Sequence, residues 1–199
     1  DEVVAVTPVW PNLTAQPQIL GAQVVRLPLS VRHGVWSLDL DRLRQTVTPT
    51  TKVLLVNAPN NPTGWTLPAA QQRAILEHCR QTGTWIVADE VYERLYFGDA
   101  PAAPSFLDAA HPQDRLIVIH SFSKSFLMTG WRLGWLVLPP SATETSATID
   151  PTPMMTPSIV RNARSRLVPR RESARRMSSI AVIRAGARRG RGPGGARGP

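Results

Sequence analysis

Residues 53–64 read Val53-Leu54-Leu55-Val56-Asn57-Ala58-Pro59-Asn60-Asn61-Pro62-Thr63-Gly64. Four consecutive apolar residues without polar alternation mark a strand buried on both faces, as in a parallel sheet covered by helices. The amide- and proline-rich run after it cannot extend the ladder and favours a turn. The same grammar returns at Trp85-Ile86-Val87-Ala88 before Asp89-Glu90-Val91-Tyr92, and at Leu116–Ile119 before His120-Ser121-Phe122-Ser123-Lys124. Between the first two strands, helical spacing runs from Leu67 to Thr82, with Thr66 suited to cap it, Pro68 to its first turn and Gly83 to its stop. Strands alternating with helices predict a mainly parallel α/β sheet.

Upstream, Val3–Val6 and Val24–Leu27 read as strands, and Ser37 as the cap of a short helix carrying Leu38, Leu40 and Leu43. Downstream, Thr129-Gly130-Trp131-Arg132 leads into a last strand, Leu133–Leu138, ended by Pro139-Pro140. No internal repeat is visible.

The chain has 199 residues, of which 42% are hydrophobic, enough for a core and against general disorder. No apolar run reaches membrane-spanning length, and the opening Asp1-Glu2 lacks the pattern of a signal peptide. One cysteine, Cys79, excludes a disulfide framework and a cysteine-built metal site, and its place beside His78 on a helix suits packing better than nucleophilic chemistry. His33, His78, His111 and His120 are scattered, so no metal ligand set is expected. These features predict a soluble cytoplasmic protein.

The net charge of +9 belongs to one end. Residues 1–140 hold 11 Lys+Arg and 11 Asp+Glu, whereas residues 141–199 hold 12 Arg and only Glu144, Asp150 and Glu172. The second stretch is rich in Arg, Pro, Gly and Ser, and is expected to stay disordered or to come from out-of-frame reading of GC-rich DNA. It lacks Phe, Tyr and Trp, so specific nucleic-acid binding is not expected of it; arginine density alone gives salt-sensitive, sequence-blind attraction. The predicted organisation is a partial α/β domain over 1–140 and a low-complexity tail over 141–199.

In open α/β sheets, ligands bind beyond the carboxyl ends of the strands. Three strand ends here offer an amide, a carboxylate with a phenol, and a lysine with hydroxyls and an arginine. The chain has two lysines, Lys52 and Lys124, against 21 arginines. A lysine kept where arginine is otherwise used suggests a task that needs a deprotonatable amine.

Asn61-Pro62-Thr63-Gly64, Asp89-Glu90-Val91-Tyr92, Ser121-Phe122-Ser123-Lys124 and Gly130-Trp131-Arg132-Leu133-Gly134, in that order, resemble the class I/II aminotransferases, which are pyridoxal-phosphate (PLP) enzymes of fold type I. The resemblance covers residues 1–140 and implies the large domain of a three-layer α/β/α transferase, incomplete at both ends. It implies that Lys124 is the Schiff-base lysine and proton shuttle, and that Asp89 faces the pyridine nitrogen. It also implies that Tyr92 and Asn61 bond the ring's phenolic oxygen, that Arg132, Ser121 and Ser123 bind the phosphate, and that Trp10 stacks on the ring. Trp131 and Trp135 read as core or wall, and Glu90 and Ser125 have no assigned role.

The implied activity is amino-group transfer from an amino acid to a 2-oxo acid, with those small molecules as partners and a homodimer as the intact form. A β-lyase, a decarboxylase or a non-catalytic PLP-sensing regulator could use the same residues. No counterpart of the family's substrate-carboxylate arginine is found after Pro140, and the family's upstream phosphate-binding helix is absent, so this stretch is expected to turn over weakly or not at all.

Overall fold

The computed structural model describes residues 1–142 and the strand Ser179–Arg184. Seven strands form the main sheet. They are β1 (Glu2–Thr7), β2 (Gln23–Pro28), β5 (Thr51–Asn57), β6 (Trp85–Asp89), β7 (Leu116–Ser121), β8 (Leu133–Leu138) and β9 (Ser179–Arg184), in the order β2-β1-β5-β6-β7-β8-β9. β2, β1, β5, β6 and β7 run parallel; β8 is antiparallel to β7, and β9 to β8. This is the mostly parallel sheet expected. All six sheet strands anticipated from apolar runs are present, each within a few residues of its predicted bounds.

Period-2 alternation sorts the strands' side chains onto two faces. Val4, Val6, Leu54, Val56, Ile86 and Ala88 face one core, which also takes in Ile75, Leu76 and Cys79 of α3 (Ala69–Thr82) and Leu43 of α2 (Leu40–Thr46). Val3, Ala5 and Leu55 face the other, where Leu13 of α1 (Asn12–Ile19) packs on them. Helices therefore lie on both faces, giving the three-layer arrangement.

Several expectations need correction. The cap of α2 is Asp39, whose Oδ1 accepts from Asp41 N at 2.9 Å and Arg42 N at 3.0 Å. Ser37 instead ends β4 (Val35–Ser37), which pairs with β3 (Ser30–Arg32) in a small separate hairpin. α3 begins at Ala69 rather than Leu67; Pro68 holds the cap position in extended backbone and no side chain, Thr66 included, caps it. Leu67 is freed from the helix and buried in the core. The helix does stop at Gly83, whose φ of 73° is a left-handed conformation that glycine adopts without steric cost. Ser179–Arg184, within the stretch expected to be disordered, forms β9; Ser-Ile-Ala-Val-Ile-Arg is its one apolar, β-branched run. The remaining expectations for 143–199 fall outside the described residues.

Gly134 marks a tight contact between β7 and β8. A Cβ there would lie 2.7 Å from the carbonyl oxygen of His120, so only glycine lets β8 approach at this point.

Candidate active site

The carboxyl ends of β5, β6 and β7 lie side by side: Asn57 is registered with Asp89, and Asp89 with Ile119. The chemistry-bearing side chains leave from the turns just beyond. Each turn is short, and each is held by its own hydrogen bonds.

After β5, Asn57 is buried and fully engaged. Its Nδ2 donates to the carbonyl of Asp89 at 3.1 Å, and its Oδ1 accepts from Asn61 N at 2.8 Å. Asn60 is likewise buried. Its Nδ2 donates to Pro8 O and Asn57 O, and its Oδ1 accepts from Thr63 N and Thr63 Oγ1. These bonds brace the Pro-rich turn and leave the Asn61 amide free to reach Tyr92, whose hydroxyl its Nδ2 approaches at 3.4 Å. Two potential donors thus converge where one oxygen could accept both.

After β6, Asp89 Oδ1 accepts from Val91 N at 3.3 Å. Burial pushes the Asp89 carboxyl up to about 6, against the pull of the Val91 N–H and of the Lys124 ammonium. A carboxylate in a partly dry site, short of cationic partners, is suited to hold a protonated ring nitrogen. Glu90, with no role assigned from sequence, is structural: it accepts from Ser105 Oγ and from Phe106 N at 2.9 Å, fastening the 3-10 turn Phe106–Asp108 to the end of β6. Glu93 and His120 come near it, with ligand atoms of all three within 4.8 Å, a juxtaposition not visible in the sequence.

After β7, Ser121 Oγ accepts from Ser123 N at 3.0 Å, which turns the chain so that Lys124 lies with its Nζ 5.5 Å from the centre of the Tyr92 ring. Arg132, at the entry to β8, has a φ of 51°, a costly left-handed conformation for a residue with a side chain. Its Nη1 donates to Thr129 O at 3.1 Å. Ser121, Ser123, Arg132 and Gly134 line an open groove of about 290 Å³, backed by Trp135, which stacks on His120 with ring centres 4.8 Å apart. Trp131, expected as core or wall, is 66% exposed; Trp135 is the wall residue.

Trp10 follows the end of β1 on the same edge of the sheet and is 52% exposed. The bond from Asn60 to Pro8 ties its loop to the Asn61 turn, but no ring contact links Trp10 to the other candidates. The structure thus draws Asn61, Asp89, Tyr92 and Lys124 together, sets Ser121, Ser123 and Arg132 around the adjoining groove, and leaves Trp10 on the rim. Sequence reasoning missed Asn57 and Asn60. The signal was there: asparagines following a buried strand at once, where a strand end needs its freed backbone groups bonded.

This donor set suits PLP: a buried carboxyl for a ring N–H, a paired amide and phenol for a ring oxygen, an amine for its aldehyde, and a serine- and arginine-lined groove for its phosphate. Among the described residues, no helix is long and apolar enough to cross a membrane.

The family model described as aminotransferase class I and II matches residues 1–178. The probable aspartate/prephenate aminotransferase of Aquifex aeolicus is 36% identical over 141 residues, which is 70% of this chain and 35% of that one. The solved N-succinyldiaminopimelate aminotransferase of Mycobacterium tuberculosis superposes with a TM-score of 0.64 at 35% identity, covering 73% of this chain and 37% of its own. A C-S lyase from Staphylococcus hominis shares the fold alone, with a TM-score of 0.72 at 22% identity over 83% of this chain and 44% of that one. The chain spans about a third of the length of the curated relatives it matches. With its motifs standing at successive strand ends and the match running over most of its length, the chain belongs to the class I and II aminotransferases, a family of pyridoxal-phosphate enzymes.

Proposed function

We propose that this chain forms the cofactor-holding part of a PLP-dependent aminotransferase, which moves an amino group from an amino acid to a 2-oxo acid. The observation that carries the reading is the meeting of Asp89, the Asn61–Tyr92 pair and Lys124 at three adjacent parallel strand ends. When bound, PLP supplies an electron-withdrawing ring that accepts the charge left as the substrate's α-proton departs.

The residues divide the remaining work. Lys124 holds the cofactor through Nζ and, once released, takes and returns the α-proton as a general base. Asp89 keeps a proton on the ring nitrogen, since a carboxylate stripped of water favours a cation beside it more strongly than the Lys124 ammonium alone supplies. Asn61 and Tyr92 donate to the ring's phenolic oxygen and favour its anion. Arg132, with Ser121 and Ser123, grips the phosphate dianion; a planar guanidinium offers paired donors there. Trp10, on the rim beside the Asn61 turn, would cover the ring face.

A homodimer belongs to this reading. Ile19, Leu20, Leu95, Phe97 and Leu127 present apolar side chains to solvent, in keeping with surface that an assembled enzyme covers.

The test is reduction with borohydride after mixing the chain with PLP, followed by peptide mass spectrometry. The label should fall on Lys124; a label on Lys52, or none on folded protein, refutes the assignment. Transfer chemistry is separated from lyase or decarboxylase chemistry by following a labelled amino nitrogen into a new amino acid formed from an added 2-oxo acid.

A further inference from the structure

Asn57 touches none of the atoms that would meet a cofactor, yet it joins two elements that would. One amide side chain, 2% exposed, donates to the backbone carbonyl of Asp89 and accepts from the backbone N–H of Asn61. The Asp89 carbonyl also accepts from Ala58 N at 3.2 Å, so the end of β6 is pinned twice to the residues leaving β5. Asn60 closes the arrangement from the other side: its Nδ2 reaches the carbonyl of Asn57 at 3.3 Å and that of Pro8 at 3.2 Å.

From this geometry we infer that Asn57 is a positioning residue: its side chain sets the spacing between Asp89 and Asn61, and hence between the groups that would hold the ring nitrogen and the ring oxygen of PLP. The inference rests on the functional reading above and deepens it.

Beyond residue 57 the β5–β6 ladder ends: the backbone N–H of Asn61 has left regular pairing, and the carbonyl of Asp89, bonded once by Ala58 N, has a second lone pair open to a donor. Such backbone groups need partners, and an amide side chain serves one donor and one acceptor at once through two separate atoms, Oδ1 toward Asn61 and Nδ2 toward Asp89. Leucine would fill the space and satisfy neither; aspartate would accept from Asn61 but could not donate to Asp89. A rigid planar linker between two ligand-holding turns is also what fixes a site to within a fraction of an ångström. A bond made only for stability would not need to end on those two residues.

The test uses the full chain and four proteins: the parent, Asn57→Ala, Asn57→Asp, and Thr84→Val as a control. Thr84 is buried at the opposite end of the same strand pair, where its hydroxyl bonds Thr51 O at 3.1 Å, so its loss costs stability without touching the site. Two readouts are taken: amide hydrogen exchange at Asn61 without cofactor, and the dissociation constant for PLP from its visible absorbance.

In Asn57→Ala, exchange at Asn61 should accelerate and PLP should bind roughly tenfold more weakly. Asn57→Asp should keep Asn61 protected while still weakening PLP. Thr84→Val should lower the melting temperature yet bind PLP as the parent does. PLP affinity unchanged in both Asn57 variants, or lost equally in Thr84→Val, would overturn the inference. A parent chain that does not take up PLP would overturn the functional reading and this inference with it, and the parent's own titration tells the two failures apart.

Discussion

Asp89 is a group that a folded chain without cofactor would be better off losing. Its carboxyl is pushed from the ordinary 3.8 up to about 6, chiefly because burial strips water from the charged form. The change is roughly two pH units, each worth about 1.4 kcal/mol, so keeping Asp89 ionised costs the fold about 3 kcal/mol. The sign follows from linkage. Between 3.8 and about 6 the native state binds the proton that the unfolded state has released, so stability falls as pH rises through that window and stays low above it.

Asp89→Asn removes the charge but keeps an oxygen for the Val91 N–H. Cofactor-free Asp89→Asn should therefore be more stable than the parent at pH 7 by about 2–3 kcal/mol, with the gap closing near pH 4. Urea unfolding of both proteins at pH 4, 5, 6 and 7 measures it. The same variant should lose most of its affinity for PLP, so a stabilising substitution would disable the site. A gap that is absent at pH 7, or that persists unchanged at pH 4, would show that burial is not what holds the Asp89 carboxyl.

Lys124→Ala should abolish borohydride-fixed label while leaving weak, reversible PLP uptake through the Arg132 groove; retention of the label would place the attachment elsewhere. Cys79 is buried on α3 and its thiol is pushed up to about 12, so at pH 8 only about one part in ten thousand is thiolate. Iodoacetamide should leave the native thiol intact over hours and alkylate it fully in urea, and rapid native labelling would contradict the packing of α3. Arg80 grips Asp114 with two bonds of 2.7 and 2.8 Å, and with His111 N it holds that carboxyl below the usual range. Arg80→Met should cost about 3 kcal/mol at pH 7 in urea unfolding, because Asp114 is left buried without its cation. The penalty should shrink as pH falls, first as the unpaired Asp114 of the variant takes up a proton and finally, below 3.8, as the parent's own carboxylate does so; a penalty independent of pH would point to packing instead.

The sheet was legible because buried parallel strands are written as unbroken apolar runs, and all three site turns follow such runs directly. Other parts were hidden for identifiable reasons. α1 carries Pro17 inside it and buries only Thr14, so neither periodicity nor propensity announces it. The β3–β4 hairpin is three residues a side and mostly exposed, too short for alternation to stand out. Asp39 lost to Ser37 as the expected cap because both are good cap residues two positions apart, and only the hairpin decides between them. Asp89, Asn61, Tyr92 and Lys124 could be picked out by residue type and place. Asn57 could not, since its role lies in bonds to two backbones 32 and four positions away.

The reversed direction of β8 has a consequence for how a ligand is captured. A parallel return would have needed a crossover helix, whereas here residues 122–132 alone carry the chain from β7 back into β8. Lys124 and Arg132 are therefore eight positions apart on one short tether. A molecule seized at either end finds the second group at an effective concentration in the millimolar range or above, with no further search through solution. On the proposed roles of the two residues, capture by Arg132 and covalent fixation by Lys124 would act as one bivalent event, in which the loose grip delivers the molecule and the slow bond keeps it.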